Sequence, residues 1–228
     1  MRRSGKARPA RIVAEEHVEP QHVRLLEDGA GTIGLRLDRS QVALLARHVD
    51  LLLRWNKSIN LTAITDPAEV IEKHVLDSLA LAPLVPAGTL LDAGSGAGFP
   101  GIPLRIARSD VEVVLVDSVQ KKVAFLKSAL AEMRLTGARA VAVRLRGDPA
   151  SEHLPRVHAA VSRAVAEPRS WLDLAEPYVL PGGFGFCMLG PSDEVPEAHG
   201  HLVLQRQLGY RLPFSGAERR IAIFQRKA

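Results

Sequence analysis

The run from Leu90 to Pro103, LLDAGSGAGFPGIP, constrains the fold more than any other part of the chain. Gly94, Gly96, Gly98 and Gly101 follow the short apolar run TLLD (89–92). Glycines let a backbone turn tightly and approach a ligand with no Cβ in the way. From Thr89 onward, strand-like and helix-like patterns alternate. VEVVLVD (111–117) reads as a β-branched strand ending in an acid. In residues 118–137, Val119, Val123, Leu126, Leu130 and Met133 share one helix face, and Gly137 is the stop. RAVAVRL (139–145), AAVSRAVA (159–166) and FGFCML (184–189) read as further strands, with a helix at 169–176. Crossovers of this length predict an α/β fold with a mostly parallel, doubly wound sheet. HLVLQRQLGYRL and ERRIAIFQRK are expected to add an antiparallel C-terminal edge.

The pattern divides the chain into three parts. Residues 1–37 read as a basic, flexible N-terminal tail, because Gly29, Gly31 and Gly34 interrupt any periodicity. Residues 38–84 form a helical N-terminal region. Asp38 or Ser40 caps QVALLARHVDLLLRW, and Asp66-Pro67 opens PAEVIEKHVLDSLAL. Residues 85–228 are the α/β domain. The chain holds 30 Lys+Arg against 25 Asp+Glu, but Arg2, Arg3, Lys6, Arg8 and Arg11 all precede the first acid. The net charge of +5 is therefore a property of the tail, which either adds nonspecific attraction to nucleic acid or only solubilises the chain. Cys187 alone excludes an internal disulfide and points to a reducing cytoplasm. No apolar run approaches the length of a membrane span, and no secretory signal is read at the start.

Gly96, Gly98 and Gly101 satisfy G-x-G-x-x-G, and Asp117 follows about twenty residues later, as in dinucleotide sites. Asp92 favours a different ligand. It lies at the strand end, where a pyrophosphate would be repelled. S-adenosylmethionine (SAM) carries an ammonium and a sulfonium and no phosphate, so it suits Asp92 better. Asp117 is placed for ribose hydroxyls, and Asp148, in Arg-Gly-Asp-Pro, for an adenine amino group. A dinucleotide, or glycine turns with no ligand, are the competing readings. His74, Asp77 and Ser78 share a helix face but are too tightly spaced for a hydrolytic triad. His199 and His201 have no apparent third ligand, so no metal is expected. Lys121 and Lys122 open a helix, where the dipole disfavours cations, and so suit RNA phosphate or a solvated face.

With these residues in place, the chain resembles the RsmG family, or glucose-inhibited division protein B, over about residues 40–228. The likeness rests on Trp55-Asn56-Lys57 with Asn60-Leu61-Thr62, on His74-x-x-Asp77-Ser78, and on the glycine loop. It continues through Val116-Asp117-Ser118 with Lys121-Lys122, Ser162-Arg163-Ala164, Pro181-Gly182-Gly183 and Glu218-Arg219. The resemblance implies a Rossmann-like SAM-dependent methyltransferase. Its reaction would be methylation of N7 of a guanine in the decoding-region loop of bacterial 16S ribosomal RNA. Free RNA or the small ribosomal subunit is the implied partner, for a monomer without metal. By resemblance the family's SAM contacts fall on Gly94, Phe99, Gly147, Asp148 and Arg163, which join Asp92, Ser95, Gly96 and Asp117 from the loop and strand tips as the expected cofactor residues. Arg163, His74 and Asn60 are candidates for positioning the guanine. Guanine N7 carries a lone pair and no proton, so no general base is required. Cys187 lacks the preceding proline of a pyrimidine-C5 nucleophile and reads as structural. In one place the chain departs from the family. The fifth strand ends Leu189-Gly190 where the family has Lys-Gly, and this motivates an alternative, a SAM-binding RNA-interaction protein with weak or no turnover.

Overall fold

The computed structural model describes residues 19–163 and 167–227. Eight strands form one sheet, β1 (Gly88–Ala93), β2 (Val111–Asp117), β3 (Ala138–Ala142), β4 (Val157–Arg163), β5 (Val179–Leu189), β6 (Ala198–His199), β7 (Leu202–Arg211) and β8 (Glu218–Arg226). Their order is β3-β2-β1-β4-β5-β8-β7-β6. β1 to β5 pair in parallel, while β8 runs antiparallel to both β5 and β7. The expected C-terminal hairpin is therefore present, but the last strand is inserted inside the sheet and leaves β6 at the edge.

Alternation along each strand builds two cores. Leu90, Val113, Leu115 and Val161 face one side of the sheet, and Leu91, Val114, Val116 and Ala160 the other. The first face is covered by α5 (Gly101–Ala107), α6 (Gln120–Glu132) and the N-terminal helices. The second is covered by α7 (Pro168–Ala175), whose Trp171 indole donates to the Phe186 carbonyl at 3.1 Å. Right-handed crossovers require this division. β1-α5-β2-α6-β3 advances one way along the sheet, and β4-α7-β5 advances the other way on the opposite face.

The N-terminal region begins earlier than the sequence suggests. Residues 1–18 lie outside the described residues, but residues 20–32 are not a flexible tail. They form α1 (Pro20–Thr32), which starts on a proline and buries Leu26 and Ala30. Gly29 sits on the buried face because a Cβ there would collide with the Leu76 side chain. α2 (Arg39–Asn56) opens on a capping box in which Asp38 and Gln41 each accept the other's backbone N–H at 2.9 Å. The second helix of the region is composite. It comprises α3 (Pro67–Val70), capped by Asp66, a π-helical segment (Ile71–Leu76) and α4 (Asp77–Leu79). The π segment carries Glu72, Lys73 and His74, and such widened turns recur at functional sites.

If α1 belongs to the core, Leu26→Ala should cost about 2–5 kcal/mol, as other buried leucines do. Urea unfolding would show this as a lower midpoint with an unchanged slope. An unaltered midpoint would mean that α1 is not packed in solution.

Candidate functional site

The direction of chain progress reverses between β1 and β4, and open α/β sheets bind ligands at the carboxyl strand ends beside such a switch point. β1 delivers Asp92 and the glycine loop there, β2 delivers Asp117, and β4 delivers Arg163. A cavity of about 610 Å³ lies over these ends, lined by residues that include Gly94, Asp117, Val119, Lys122, Val143, Leu145 and Arg163. A second cavity of about 390 Å³ is lined by Lys73, His74, Asp77, Leu189, Tyr210 and Arg219, among others. Arg163 lines both.

The glycine loop is held from below. Gly101 N–H donates to Asp92 Oδ2 at 2.8 Å, and a Cβ on Gly101 would stand 2.7 Å from that oxygen. Asp92 is fully buried, and its Oδ1 has no hydrogen-bond partner among the described residues. Burial pushes its carboxyl up to about 7, against the opposing pull of the Gly101 N–H and of Arg163. Asp117 accepts from Gly96 N–H at 3.1 Å and from Val119 N–H at 2.8 Å, so it shapes the loop as well as lining the cavity. Gly94 and Gly96 both adopt positive φ, the left-handed region that glycine enters without strain.

Ser95 does not face the ligand space. It is buried, donating to Asp92 O at 2.8 Å and accepting from Val116 N–H at 3.0 Å, which ties β1 to β2. Phe99 is also buried. Its ring lies between His48 and His74, with centroids 4.8 and 5.0 Å away, and the Arg163 guanidinium carbon is 5.3 Å from its centre. Gly147 and Asp148 lie beyond the end of the third strand. β3 ends at Ala142, and the RGDP run folds into its own turn, where exposed Asp148 accepts from Ser151 N–H at 3.2 Å. Gly147 N–H is used by the Tyr178 hydroxyl at 3.0 Å. Neither residue lines the cavity; its wall on that side is Val143, Arg144 and Leu145. Asn60 is exposed in the loop after α2 and lines neither cavity.

Arg163 organises the second cavity. Its guanidinium donates to Lys73 O at 3.0 Å and His74 Nδ1 at 3.1 Å, and it lies 3.4 Å from Asp77 Oδ2. His74 Nδ1 lies 3.1 Å from both Arg163 and the Lys73 carbonyl; because an arginine can only donate, its contact favours the tautomer in which Nε2–H donates to Thr62 Oγ1 at 2.9 Å. Burial first, then the Arg163 charge, lowers the His74 pKa to about 4, so the ring is neutral at physiological pH. Tyr210 donates to Asp77 Oδ1 at 2.6 Å. Ser78 turns inward and donates to the His74 carbonyl, so no triad forms.

His48 was missed in the sequence because a histidine on an apolar helix face reads as core. It is fully buried, and its Nε2 meets the Ala97 carbonyl of the glycine loop at 2.8 Å. Burial lowers its pKa to about 4, so the neutral ring donates there. His199 and His201 pair separately with Asp173 and Glu176 at 2.5 Å, tying the β6–β7 turn to the end of α7. Cys187 is buried in β5, and burial pushes its thiol up to about 12.

A doubly wound sheet with acids at the tips of β1 and β2 and a glycine loop between them places the chain in the Rossmann-like methyltransferase class. A crystal structure of a protein described as a predicted O-methyltransferase from Agrobacterium tumefaciens superposes with a TM-score of 0.55, over 67% of this chain and 81% of that one, at 19% identity. Residues 41–221 match the GidB family model, described as rRNA small subunit methyltransferase G, and the chain belongs to that family. Curated relatives carry the name ribosomal RNA small subunit methyltransferase G. That of Anaeromyxobacter dehalogenans is 49% identical over 89% of this chain and 96% of its own, and that of Myxococcus xanthus 46% over the same shares.

The elevated Asp92 pKa sets a pH dependence. An acid raised in the folded state stabilises that state most below its ordinary value of 3.8, and the contribution is lost as pH rises to about 7. The stability of wild type relative to Asp92→Asn should therefore fall between these limits, by up to about 1.4 kcal/mol per pH unit, and stay flat above. Urea melts across a pH series measure it. A difference that rises with pH would place a charged carboxylate in the folded protein throughout.

Proposed function

We propose that the chain transfers a methyl group from SAM to N7 of a guanine in the decoding-region loop of 16S ribosomal RNA. It would act on the RNA or the small subunit as a cytoplasmic monomer. The observation that carries this reading is the meeting of two cavities at Arg163, one walled by the glycine loop and Asp117, the other bordered by cations.

The residues present suit SAM. The orphaned oxygen of buried Asp92 favours a cationic ligand over a phosphate. The first cavity falls in the size range of small-molecule sites. Asp117 would accept the ribose hydroxyls, and Val143 and Leu145 would flank the purine. When bound, SAM supplies an electrophilic methyl group on a sulfonium. The chain's own part is positioning, which contributes up to about 7–11 kcal/mol in well-oriented intramolecular cases. A proton-free nucleophile matches a second cavity whose His74 and Asp77 are committed elsewhere. His74 is neutral with both ring nitrogens engaged, and Asp77 is held by Tyr210 and Arg163. Binding without turnover is the weaker reading. Leu189 lines the second cavity in place of a family lysine, but Arg219 lines the same cavity and brings a cation to it.

The test is calorimetric titration with SAM and NAD, then single-turnover methylation of small subunits lacking the modification. SAM should bind and NAD should not. Asp117→Ala should weaken SAM by about 1–3 kcal/mol, because it strips the partner from two loop N–H groups as well as from the ribose. Leu189→Lys should raise the transfer rate or leave it unchanged. Tight NAD binding without SAM binding refutes the methyltransferase reading. An inert wild type beside an active Leu189→Lys hands the function to RNA binding alone.

A further inference from the structure

The turn joining β7 to β8 is firmly built yet presents an aromatic ring to solvent. Leu212 N–H donates to Ala217 O at 3.0 Å, and Gly216 N–H to Leu212 O at 3.1 Å. The N–H groups of Phe214 and Ser215 both donate to Glu72 Oε1, at 2.7 and 2.6 Å, and Glu72 is itself buried. Glu72 is the neighbour of Lys73, whose carbonyl receives Arg163, so one π-helical turn anchors both the hairpin tip and the site wall. Phe214 nevertheless stays 48% exposed. Among the described residues the other exposed large apolar side chain is Val119, and Val119 lines the first cavity.

The surface leading to this tip is cationic. A groove of about 350 Å³ on the hairpin, lined in part by Arg211, Glu218, Arg219 and Arg220, shares Tyr210 and Arg219 with the second cavity. Across the two, Lys73, Arg163, Arg211, Arg219 and Arg220 stand against Asp77 and Glu218. The Arg211–Glu218 pair, at 2.8 Å, is largely solvent-exposed, so it costs little to exchange for a phosphate.

A guanine presented to a methyl donor is unpaired, and its flanking nucleotides are recognised by stacking on aromatic rings and by cations along the backbone. We propose that the β7–β8 hairpin reads the RNA strand beside the target, with Phe214 stacking on an unpaired flanking base and Arg211 and Arg219 meeting its phosphates. The inference rests on an RNA substrate and names the surface that holds it.

The test compares wild type with Phe214→Ala, Phe214→Trp, Phe214→Leu and Arg211→Ala. Affinity is read by fluorescence anisotropy on a short labelled single-stranded RNA carrying the target sequence, and KM and kcat by methylation of small subunits. Phe214→Ala should weaken RNA binding and raise KM about 5- to 150-fold, the range for loss of one stacked base. SAM affinity and kcat should be unchanged. Tryptophan should restore binding and leucine should not. Arg211→Ala should reduce the salt slope of log K by about 0.7. The proposal is overturned if Phe214→Ala binds RNA like wild type, or if leucine substitutes as well as tryptophan. It is also overturned if the defect appears on subunits but not on RNA, which marks a ribosomal-protein contact. RNA binding by a wild type that transfers no methyl would sink the proposed reaction and leave the hairpin's role standing, so the two failures are distinguishable.

Discussion

The Arg163 guanidinium, at the last residue of β4, is the interaction on which the site's geometry depends. A guanidinium withdrawn from water carries a penalty of several kcal/mol unless its donors are met. Here they are met by Lys73 O, His74 Nδ1 and Asp77, all in or beside the π-helical turn. Each acceptor then constrains something further. His74 presents Nε2–H to Thr62, whose backbone N–H and carbonyl are held by Asn56 at the end of α2. Asp77 must find a second donor, and Tyr210 on β7 supplies it. One cation thus fixes the helix that walls the cleft, the loop after α2 and the register of the C-terminal hairpin. Its face over Phe99 carries the same constraint into the glycine loop.

The N-terminal helices are therefore part of the site. Phe99 lies against His48 from α2 and His74 from the π segment, and His48 reaches the loop carbonyl of Ala97. Neutral histidines suit that role. They stack, and His48 donates to the loop, while burial keeps both rings uncharged.

The fold was legible because two periods run through the sequence without conflict. Leu90/Leu91 and Val113/Val114 assign opposite faces of the sheet, and the α2 and α6 patterns repeat at helical spacing. α1 was missed because Gly29 and Gly31 read as breakers. Gly29 is instead the place where α1 lies close against Leu76, and Pro20 with Leu26 and Ala30 was the available signal. In the site, Asp92 and Asp117 were readable as strand tips, and Arg163 came from the family resemblance. The third strand was read to residue 145 but stops at Ala142, and the residues that follow make their own turn, which no periodicity announces. Ser95 stands in the loop by sequence, but its hydroxyl is spent between β1 and β2. Tyr210, His48 and Glu72 act through contacts distant in sequence, so local pattern carries no trace of them.

The inserted last strand brings a cation to the cavity beside the apolar end of β5. Leu189 packs into the second core and is nearly closed to solvent, so a lysine there would have to thread its ammonium out along the second cavity. β8 is paired beside β5, with Leu189 opposite Arg220 and Met188 opposite Ile221. Neighbouring strands lie about 4.8 Å apart, so a charge on β8 stands close to the place where a β5 side chain would have put it. Successive residues of a strand point to opposite faces. Arg220 accordingly turns to the Gly190 carbonyl and braces the loop after β5, while Arg219 turns to the Asp77 side and lines the cavity. The cation that lines the cavity with Leu189 is thus Arg219, not the ladder partner Arg220. β5 therefore ends in leucine while a cation still lines the cavity.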